Sequence, residues 1–261
     1  MRIVTWNINS LRLRVGTLAR IAEVLAPDVV CLQETKVPDD AFPQDELAAI
    51  GFPYALHHGM KGYNGVAILS RAKLGEIHRR DWCGREDCRH IAARLPGGTE
   101  VHNFYVPSGG DIPDPKQNDK FAHKLQFVAE MTDWFAAMKP GRLVLVGDLN
   151  IAPLESDVWS HKQLLGVVSH TPIEVAALDR LMATQRWIDA VRKFIPPKEQ
   201  LYSWWSYRNR TWPGSNRGRR LDHLWVTPAL GDRLRAASVF TASRGWEAPS
   251  DHVPVVVDID I

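Results

Sequence analysis

The sequence predicts an α/β fold in which sheets and helices pack as the layers of a sandwich. Short apolar runs rich in β-branched residues recur along the 261 residues, and segments with helical spacing lie between them. No repeat, low-complexity tract or Ser/Gly-rich linker interrupts the chain. Seven or more strands alternating with helices are typical of a layered α/β architecture. The uninterrupted composition favours a single domain of residues 1–261.

Strands are predicted where apolar and β-branched residues follow one another over a strand's length. In chain order these runs are residues 3–6, 29–32, 66–69, 101–106, 143–146, 224–227 and 253–259. Propensity does not say which of them pair.

Helices are predicted between these runs. Segments 18–25 and 123–138 place apolar residues at helical spacing. A further helix should begin after Thr171, because Thr171 and Glu174 have capping-box spacing and Pro172 takes the first helical position.

Composition excludes several classes of protein. Charged residues make up 24% and hydrophobic residues 45%, so the chain can bury a core. The formal charge of +2 is too small for binding polyanions by bulk charge. Three cysteines without a Cys-x-x-Cys pair argue against a disulfide scaffold or a structural zinc site. The start MRIVTWNINS lacks an apolar leader and no run is long enough for a bilayer, so we expect a cytoplasmic protein without membrane contact.

Polar and ionisable side chains stand at the ends of most predicted strands. Burying a carboxylate without a partner costs several kcal/mol, so acidic groups placed repeatedly at the edge of a core call for a shared cation or donor. Carboxylate and amide oxygens suit Mg²⁺ or Mn²⁺, whereas zinc prefers Cys and His ligands. The residues at these strand ends are Asn7, Glu34, Tyr105, Asp148, Asn150, Asp222, Asp251 and His252.

Taken singly, each of these residues has an ordinary structural explanation, most often as a turn former or helix cap. The explanations are a helix-start carboxylate for Glu34, an arginine partner for Asp222, a turn residue for Asp251 and a hydrogen-bonded interfacial side chain for His252. Taken together they favour a hydrolytic centre, because phosphodiester hydrolysis needs charge neutralisation, an activated water and stabilisation of the departing oxygen.

Seven motifs in order carry a family resemblance. They are TWNINSLR, LQETK, GVAILSR, NFYVPSG, VGDLNIAP, RLDHLWV and SDHVPV, and the match that includes them runs in order from residue 3 to residue 257. Together they resemble the exonuclease III family of abasic-site endonucleases, within the endonuclease/exonuclease/phosphatase superfamily. The resemblance implies a deoxyribonuclease-like four-layer α/β sandwich with two central mixed β-sheets flanked by helices.

The resemblance also implies roles for the strand-end residues. Glu34 would be the principal metal ligand, with Asn7 close by and Asp251 on the same side. Asp148 would align or deprotonate the attacking water, and Asn150 would hydrogen-bond the scissile phosphate; both are also counted among the metal-site residues. His252, oriented by Asp222, would contact a non-bridging oxygen, and Tyr105 would face the same phosphate.

The implied enzyme is a divalent-metal-dependent DNA phosphodiesterase of base-excision repair. It would incise 5′ to abasic sites, with associated 3′-to-5′ exonuclease and 3′-end-trimming activity. The alternative is a specialised 3′-to-5′ exonuclease with weak incision. Its partner would be double-stranded DNA carrying abasic sites or 3′ ends, bound by a monomer at the nucleoid.

A basic and aromatic window supports a nucleic-acid substrate. Between Arg192 and Arg220, eight basic residues stand against Glu199 alone, and five Trp and Tyr side chains interleave with them. Basic groups follow phosphates and flat rings pack on sugars or bases, although a solvated loop over an aromatic core would look similar. The candidate substrate contacts, including Trp204 and Leu221 as implied walls of a sugar pocket, are Arg89, Trp204, Trp212, Arg217, Arg219 and Leu221.

Two other classes of protein stay open at this point. A phosphatase acting on lipid or inositol phosphates would use the same hydrolytic groups, but the window is rich in aromatic residues and no apolar membrane-facing loop is evident. A binding or scaffold domain would have no chemical need for unpaired carboxylates at one edge. Metal-dependent turnover of an abasic duplex separates the three.

Overall fold

The structure is a computed structural model that describes residues 1–208 and 211–261, apart from the side chains of residues 76 and 77. The strands in chain order are β1 Arg2–Asn7, β2 Val29–Gln33, β3 Tyr54–His58, β4 Val66–Ser70, β5 Gly75–Arg79, β6 His90–Arg94, β7 Glu100–Tyr105, β8 Leu143–Asp148, β9 Ile188–Asp189, β10 Trp204–Trp205, β11 Gly218–Arg219, β12 Asp222–Val226, β13 Leu234–Val239 and β14 Val255–Ile259. The α-helices are α1 Leu11–Leu25, α2 Gln44–Ala49, α3 Asp119–Ala137, α4 His161–Leu164, α5 Pro172–Thr184 and α6 Pro228–Gly231.

Two six-stranded sheets form the centre of the molecule. The first has the strand order β13-β14-β1-β2-β4-β3 and the second β5-β6-β7-β8-β12-β9. Each is mixed: β1 and β2 run parallel in the first sheet, β7 and β8 run parallel in the second, and the other pairs are antiparallel. The short strands β10 and β11 form a separate ribbon.

Three apolar interfaces, one between the two sheets and one between each sheet and its helices, hold the structure together. Alternate residues of the central strands, such as Ile3 and Val144, meet between the sheets. The opposite face of the first sheet packs on α1 and α2 through side chains such as Trp6 and Leu18. The opposite face of the second sheet packs on α3 and α5 through side chains such as Phe127. The predicted four-layer sandwich with two mixed sheets is therefore confirmed.

Sequence patterns found the central strands and missed the peripheral ones. All seven predicted runs are strands, several of them extended by a residue or two at the ends. The missed strands include β3 and β13. They are edge strands whose residues, apart from the buried Leu234, are half-buried or exposed, so they do not form a continuous apolar run. Strand β6 is buried but contains two alanines, which have low strand propensity.

All three predicted helices are present, although α1 begins at Leu11 rather than Leu18, and the short helices α2, α4 and α6 were not predicted. Helix α5 starts after Thr171, whose hydroxyl accepts from the Glu174 N–H while the Glu174 carboxylate accepts from the Thr171 N–H, as the capping box predicts. Helix α3 begins at Asp119, earlier than predicted, because the side chain of Asn118 caps it by accepting from the Lys120 N–H. No described helix has the length and apolar character that crossing a membrane requires.

Candidate active site

The carboxyl ends of the two parallel strand pairs bring the predicted residues together. Asn7 is paired with Gln33 at the end of β1 and β2, and Tyr105 is paired with Asp148 at the end of β7 and β8. Asp222, the first residue of antiparallel β12, is paired with Asp148 from the other side. Because the two sheets stack face to face, these ends form one edge of the sandwich, as the sequence predicts.

Tight backbone geometry fixes the carboxylates at this edge. Glu34 and Asn150, which follow β2 and β8, adopt left-handed backbone conformations with φ of 52° and 54°. Gly147, with φ 136°, lies so close to β7 that a Cβ there would be 1.9 Å from the Phe104 carbonyl oxygen. Such conformations persist only where the surroundings hold them, and they are common at functional sites.

A hydrogen-bonded chain joins the two sheets at the site. The Asn7 amide donates to Glu34 Oε1 and to Asp148 Oδ2, each at 2.9 Å. The Tyr105 hydroxyl also donates to Glu34 Oε1 at 2.9 Å. Burial raises the pKa of Tyr105 well above its ordinary value, so its hydroxyl stays a donor. Burial would raise the pKa of Glu34, but hydrogen bonds from Asn7 and Lys36 outweigh it and lower that pKa.

Asp148, Asp222 and His252 form a buried cluster. Nδ1 of His252 lies 2.8 Å from Asp222 Oδ2, and Nε2 lies 3.6 Å from Asp148 Oδ2. Burial would lower the pKa of His252, but the Asp222 and Asp148 carboxylates reverse that effect and raise it to about 10. The imidazole is therefore a cation at neutral pH, held by Asp222 as the resemblance implied.

The Asp148 carboxyl has an unusual proton affinity. Burial, together with the neighbouring Asp222 carboxylate, raises its pKa to about 7 against the opposing charge of His252. The Asn150 backbone N–H donates to Asp148 Oδ1 at 2.9 Å, and the Asn150 amide donates to Oδ2 at 3.2 Å. A carboxyl with a pKa near neutrality is suited to exchange a proton with water at physiological pH.

Asp251 lies across the same cavity and connects to the first sheet through Asn9. The Asn9 amide donates to Asp251 Oδ1 at 2.9 Å, and the Trp204 indole donates to Asp251 Oδ2 at 3.0 Å. Lys36 Nζ lies 2.6 Å from Asn9 Oδ1 and 2.8 Å from Glu34 Oε2. The sequence analysis singles out neither Asn9 nor Lys36, although both lie in the quoted motifs.

The donors at this edge fit a hard divalent cation. Glu34, Asp148 and Asp251 line one cavity, and the buried Oδ1 of Asp222 has no hydrogen-bond partner. The ammonium of Lys36 lies among the Glu34 and Asn9 oxygens, which shows that this part of the site accepts positive charge. Ligand atoms of Asp148, Asp222 and His252 also lie within 4.8 Å of one another, forming a candidate metal site of acidic and His groups. Because Nδ1 of His252 is already engaged by Asp222, the carboxylate and amide oxygens are the ligands that best suit a hard cation here.

The cavity in front of these groups has a volume of about 300 Å³. Besides the catalytic candidates, its walls are formed by Trp204, Leu221, Val168, Ser169 and Arg219. Trp204 and Leu221 therefore lie where the sugar-pocket expectation placed them. A second groove of about 500 Å³ adjoins it, and both grooves share Trp204 and Arg219.

The basic window divides into buried and accessible arginines. Arg217 is exposed over the Trp159 ring at 4.7 Å, and Arg219 lies over Trp204 at 5.3 Å, both along the second groove. Arg210 lies outside the described residues. Trp212 packs on Trp205 and lines neither of these cavities, so the substrate contact expected of Trp212 would lie at a distance from them.

For Arg192 and Arg220, the expectation that they follow phosphates is wrong. Arg220 is 2% exposed and pairs with Asp157 and Asp189, and Arg192 also pairs with Asp157. These ion pairs fasten the window to the core, and the sequence could not show this because the acidic partners lie outside the window.

Arg89 supports the site from behind Tyr105. Its guanidinium is paired with Asp87, donates to the Tyr105 carbonyl oxygen at 3.3 Å and lies over the Tyr105 ring at 4.8 Å. A contact with DNA would therefore involve a side chain that is already engaged.

The comparisons with known proteins agree with this geometry. Residues 4–252 match the endonuclease/exonuclease/phosphatase family. The chain is 34% identical to an exodeoxyribonuclease III of Haemophilus influenzae, with 98% of each chain covered. It is similar to the structure of an AP endonuclease from Archaeoglobus fulgidus, with a TM-score of 0.92, 30% identity and full coverage of both chains. It is also similar to a 3′ phosphatase from Neisseria bound to a product DNA hairpin, with a TM-score of 0.91, 32% identity and full coverage of both.

Proposed function

The chain belongs to the endonuclease/exonuclease/phosphatase family, and we propose that it is a DNA phosphodiesterase of base-excision repair that incises 5′ to abasic sites. The proposal includes 3′-to-5′ exonuclease and 3′-end-trimming activity at the same centre, on double-stranded DNA. The enzyme would work as a monomer through a single domain of residues 1–261, at the nucleoid in the cytoplasm.

The observation that carries the proposal is the shared edge of the two sheets. Asp148 hydrogen-bonds Asn7 of the first sheet and lies 3.6 Å from His252, so residues far apart in the chain converge on one cavity. This set supplies a proton acceptor, a cationic donor and neutral hydrogen-bond donors around one point. Relatives named exodeoxyribonuclease III and AP endonuclease support DNA as the substrate.

Each group has a role that its surroundings allow. Asp148, with a pKa near 7, accepts a proton from the attacking water. The water oxygen bonds to phosphorus and the bond from phosphorus to the 3′-oxygen breaks. The departing 3′-oxygen takes up a proton from solvent, which leaves a 3′-hydroxyl and a 5′-phosphate. His252 neutralises charge on a non-bridging oxygen, the Asn150 amide hydrogen-bonds the scissile phosphate, and the Tyr105 hydroxyl faces the same phosphate. Asp222 keeps His252 charged and oriented.

Glu34, with Asn7, Asp251, Asp148 and Asn150, would hold a divalent metal ion, for which we propose Mg²⁺ or Mn²⁺. A bound ion would supply positive charge for the phosphate and for the departing oxygen.

The alternative of a specialised 3′-to-5′ exonuclease has its own support. The Neisseria neighbour acts on 3′ ends as a phosphatase, and it is as similar in fold as the AP endonuclease. The two activities would share the hydrolytic centre and differ in how the cavity beside Trp204 and Leu221 receives the sugar.

A side-by-side assay tests the proposal. An abasic-site duplex and a matched recessed duplex, each labelled at the 5′ end, are incubated with the enzyme in Mg²⁺ and in EDTA. We expect metal-dependent incision of the abasic duplex to be the faster reaction. Faster shortening of the recessed strand favours the exonuclease, and no cleavage of either duplex contradicts the proposal.

A further inference from the structure

A fully buried ion pair lies directly behind the wall of the catalytic cavity. Lys124 in the second turn of α3 and Glu174 in the first turn of α5 are both 0% exposed, and their charged groups are in hydrogen-bond contact. The pair is placed outside the second sheet, between two helices that the catalytic roles do not involve.

All three protons of the Lys124 ammonium are directed at the site wall or at Glu174. Nζ donates to the backbone oxygen of Asn150 at 2.8 Å and to that of Ser108 at 3.3 Å. Asn150 and Ser108 belong to different loops, and both residues line the catalytic cavity. The aliphatic stem of Lys124 also packs closely against the loop that contains Ser108. A Cβ added at Gly109 in this loop would lie only 2.9 Å from Lys124 Cδ.

Glu174 holds a third loop of the same wall. Its carboxylate accepts from the Ser169 N–H with both oxygens at 2.9 Å, and from the Thr171 hydroxyl at 2.6 Å. Ser169 and its neighbour Val168 line the same cavity as Asn150, and the Ser169 carbonyl oxygen accepts from the Ala152 N–H at 2.7 Å. One ion pair therefore connects all three loops that close this side of the site.

Two of these contacts end at backbone positions that are unfavourable by themselves. Gly109 beside Ser108 has φ 89°, which glycine adopts without strain, whereas Asn150 with φ 54° and Ser169 with φ 89° are non-glycine residues in the left-handed region. Residues in such conformations persist only when the surrounding structure holds them. Lys124 and Glu174 supply hydrogen bonds at or next to each of these positions.

Fold stability does not account for a charged pair here. Replacing a buried ion pair by apolar side chains of similar volume is often neutral or stabilising, because the desolvation of two charges offsets their attraction. An apolar pair could not, however, donate to two carbonyl groups and accept from a backbone amide. Fully satisfied buried polar networks fix a single arrangement of the groups they connect.

We propose that Lys124 and Glu174 are positioning residues that hold the Ser108, Asn150 and Ser169 loops in the geometry needed for phosphodiester hydrolysis. The inference rests on the proposed function for its kinetic consequence. Its structural part, the ordering of three loops by one ion pair, is measurable without any substrate.

The test uses the double variant Lys124→Met with Glu174→Gln, which removes both charges without leaving either one buried alone. We expect kcat on the abasic duplex to fall about 10- to 100-fold, since small misplacements in a catalytic site have effects of that size. KM, and the Kd for uncleaved duplex in EDTA, should change by less than about threefold, because the DNA-facing groups are untouched. Hydrogen exchange in segments 106–110, 148–152 and 168–171 should become faster.

Gln185→Met is the matched control for loss of contact between the same helices. The Gln185 amide follows α5 and donates to the Phe135 and Met138 carbonyl groups at the far end of α3. At an equal drop in melting temperature, the control should keep its kcat and the exchange rates of the three segments. If the double variant does not fold, Glu174→Gln alone is measured in its place, and the same changes in kcat, KM, Kd and hydrogen exchange are expected of it.

A double variant with the kcat and loop exchange of the control would overturn the proposal. If the wild-type enzyme cleaves no DNA, the proposed function fails by itself, and hydrogen exchange decides the positioning role. Faster exchange in the three segments of the double variant then supports it, and exchange equal to that of the control contradicts it.

Discussion

His252 and Asp222 form a buried ion pair that joins the segment just before β14 to the start of β12. Nδ1 of His252 lies 2.8 Å from Oδ2 of Asp222. Asp222 is 1% exposed and His252 is 5% exposed, so neither charge is screened by bulk water. The pair places the other ring nitrogen 3.6 Å from Asp148. A fixed cation is thereby held beside Asp148, the carboxyl that we propose accepts a proton from the attacking water.

Asp222→Asn should lower kcat by about 10²- to 10⁴-fold, the range found for general acid and base groups. Without the Asp222 charge, the pKa of His252 falls from about 10, so the protonated form is lost at a lower pH. The pH–rate profile should therefore decline earlier on its alkaline side. Asp232→Asn, at an exposed position, is the control, and an unchanged profile in Asp222→Asn would refute the role of the pair.

Glu34→Ala should weaken metal binding. Glu34 carries a carboxylate whose pKa is lowered and which faces the cavity, so its loss removes the proposed principal ligand. We expect the Mg²⁺ concentration for half-maximal activity to rise by about tenfold or more, the effect associated with losing a metal-site group. Calorimetry with Mn²⁺ should show a parallel loss of affinity. Glu199→Ala, at an exposed position, is the control and should leave both values unchanged. If Glu34→Ala binds Mn²⁺ as tightly as the wild-type enzyme, Glu34 is not a metal ligand and the metal site lies elsewhere.

Arg217→Ala and Arg220→Met should separate substrate contact from structural support. Arg217 is exposed at the second groove, so its loss should reduce the slope of log K against log salt by about one for duplex DNA. Arg220 pairs with two buried carboxylates, so its loss should lower the free energy of unfolding by about 3 to 5 kcal/mol. Salt titration of binding and denaturant unfolding measure the two effects. A loss of stability in Arg217→Ala together with a reduced salt slope in Arg220→Met would show that the groove does not bind phosphate.

Stability should decrease on acidification through buried neutral histidines. Burial lowers the pKa of His90 well below its ordinary value, and its ring stacks on Phe104 at 4.2 Å. The unfolded chain takes up the proton at about pH 6.5 and the folded chain does not, so the stabilisation present above that pH is lost as pH falls below it. His90→Asn should reduce the slope of unfolding free energy against pH below 6.5 by at most about 1.4 kcal/mol per pH unit. Parallel slopes for the variant and wild type would contradict this account.

Most of the catalytic edge could be predicted because each group directly follows or precedes a strong strand signal. Asn7, Asp148 and Asp222 lie at ends of buried strands, so placing the strands also placed the side chains. The bonds among them, such as Asn7 to Asp148, depend on how the sheets stack, and local patterns do not contain that information.

The basic window was only half predictable for a related reason. Arg217 and Arg220 are three residues apart and look equivalent in sequence, yet one is exposed and the other is buried against Asp157 and Asp189. The same limit hid the ion pair between Lys124 and Glu174, although Glu174 was predicted as a helix-capping residue. Charge in a helix ordinarily indicates a solvated face, and only the packing of α3 on α5 shows that these two charges are buried.

The most direct test of the catalytic centre is single-turnover cleavage of a labelled abasic-site duplex by the wild-type enzyme and by Asp148→Asn, with Mg²⁺ added to EDTA-treated protein. The account predicts that the wild-type enzyme recovers incision with added Mg²⁺, while Asp148→Asn binds the duplex but cleaves it at least about 10³-fold more slowly. Incision by the wild-type enzyme that persists in EDTA, or wild-type-like turnover by Asp148→Asn, would contradict it.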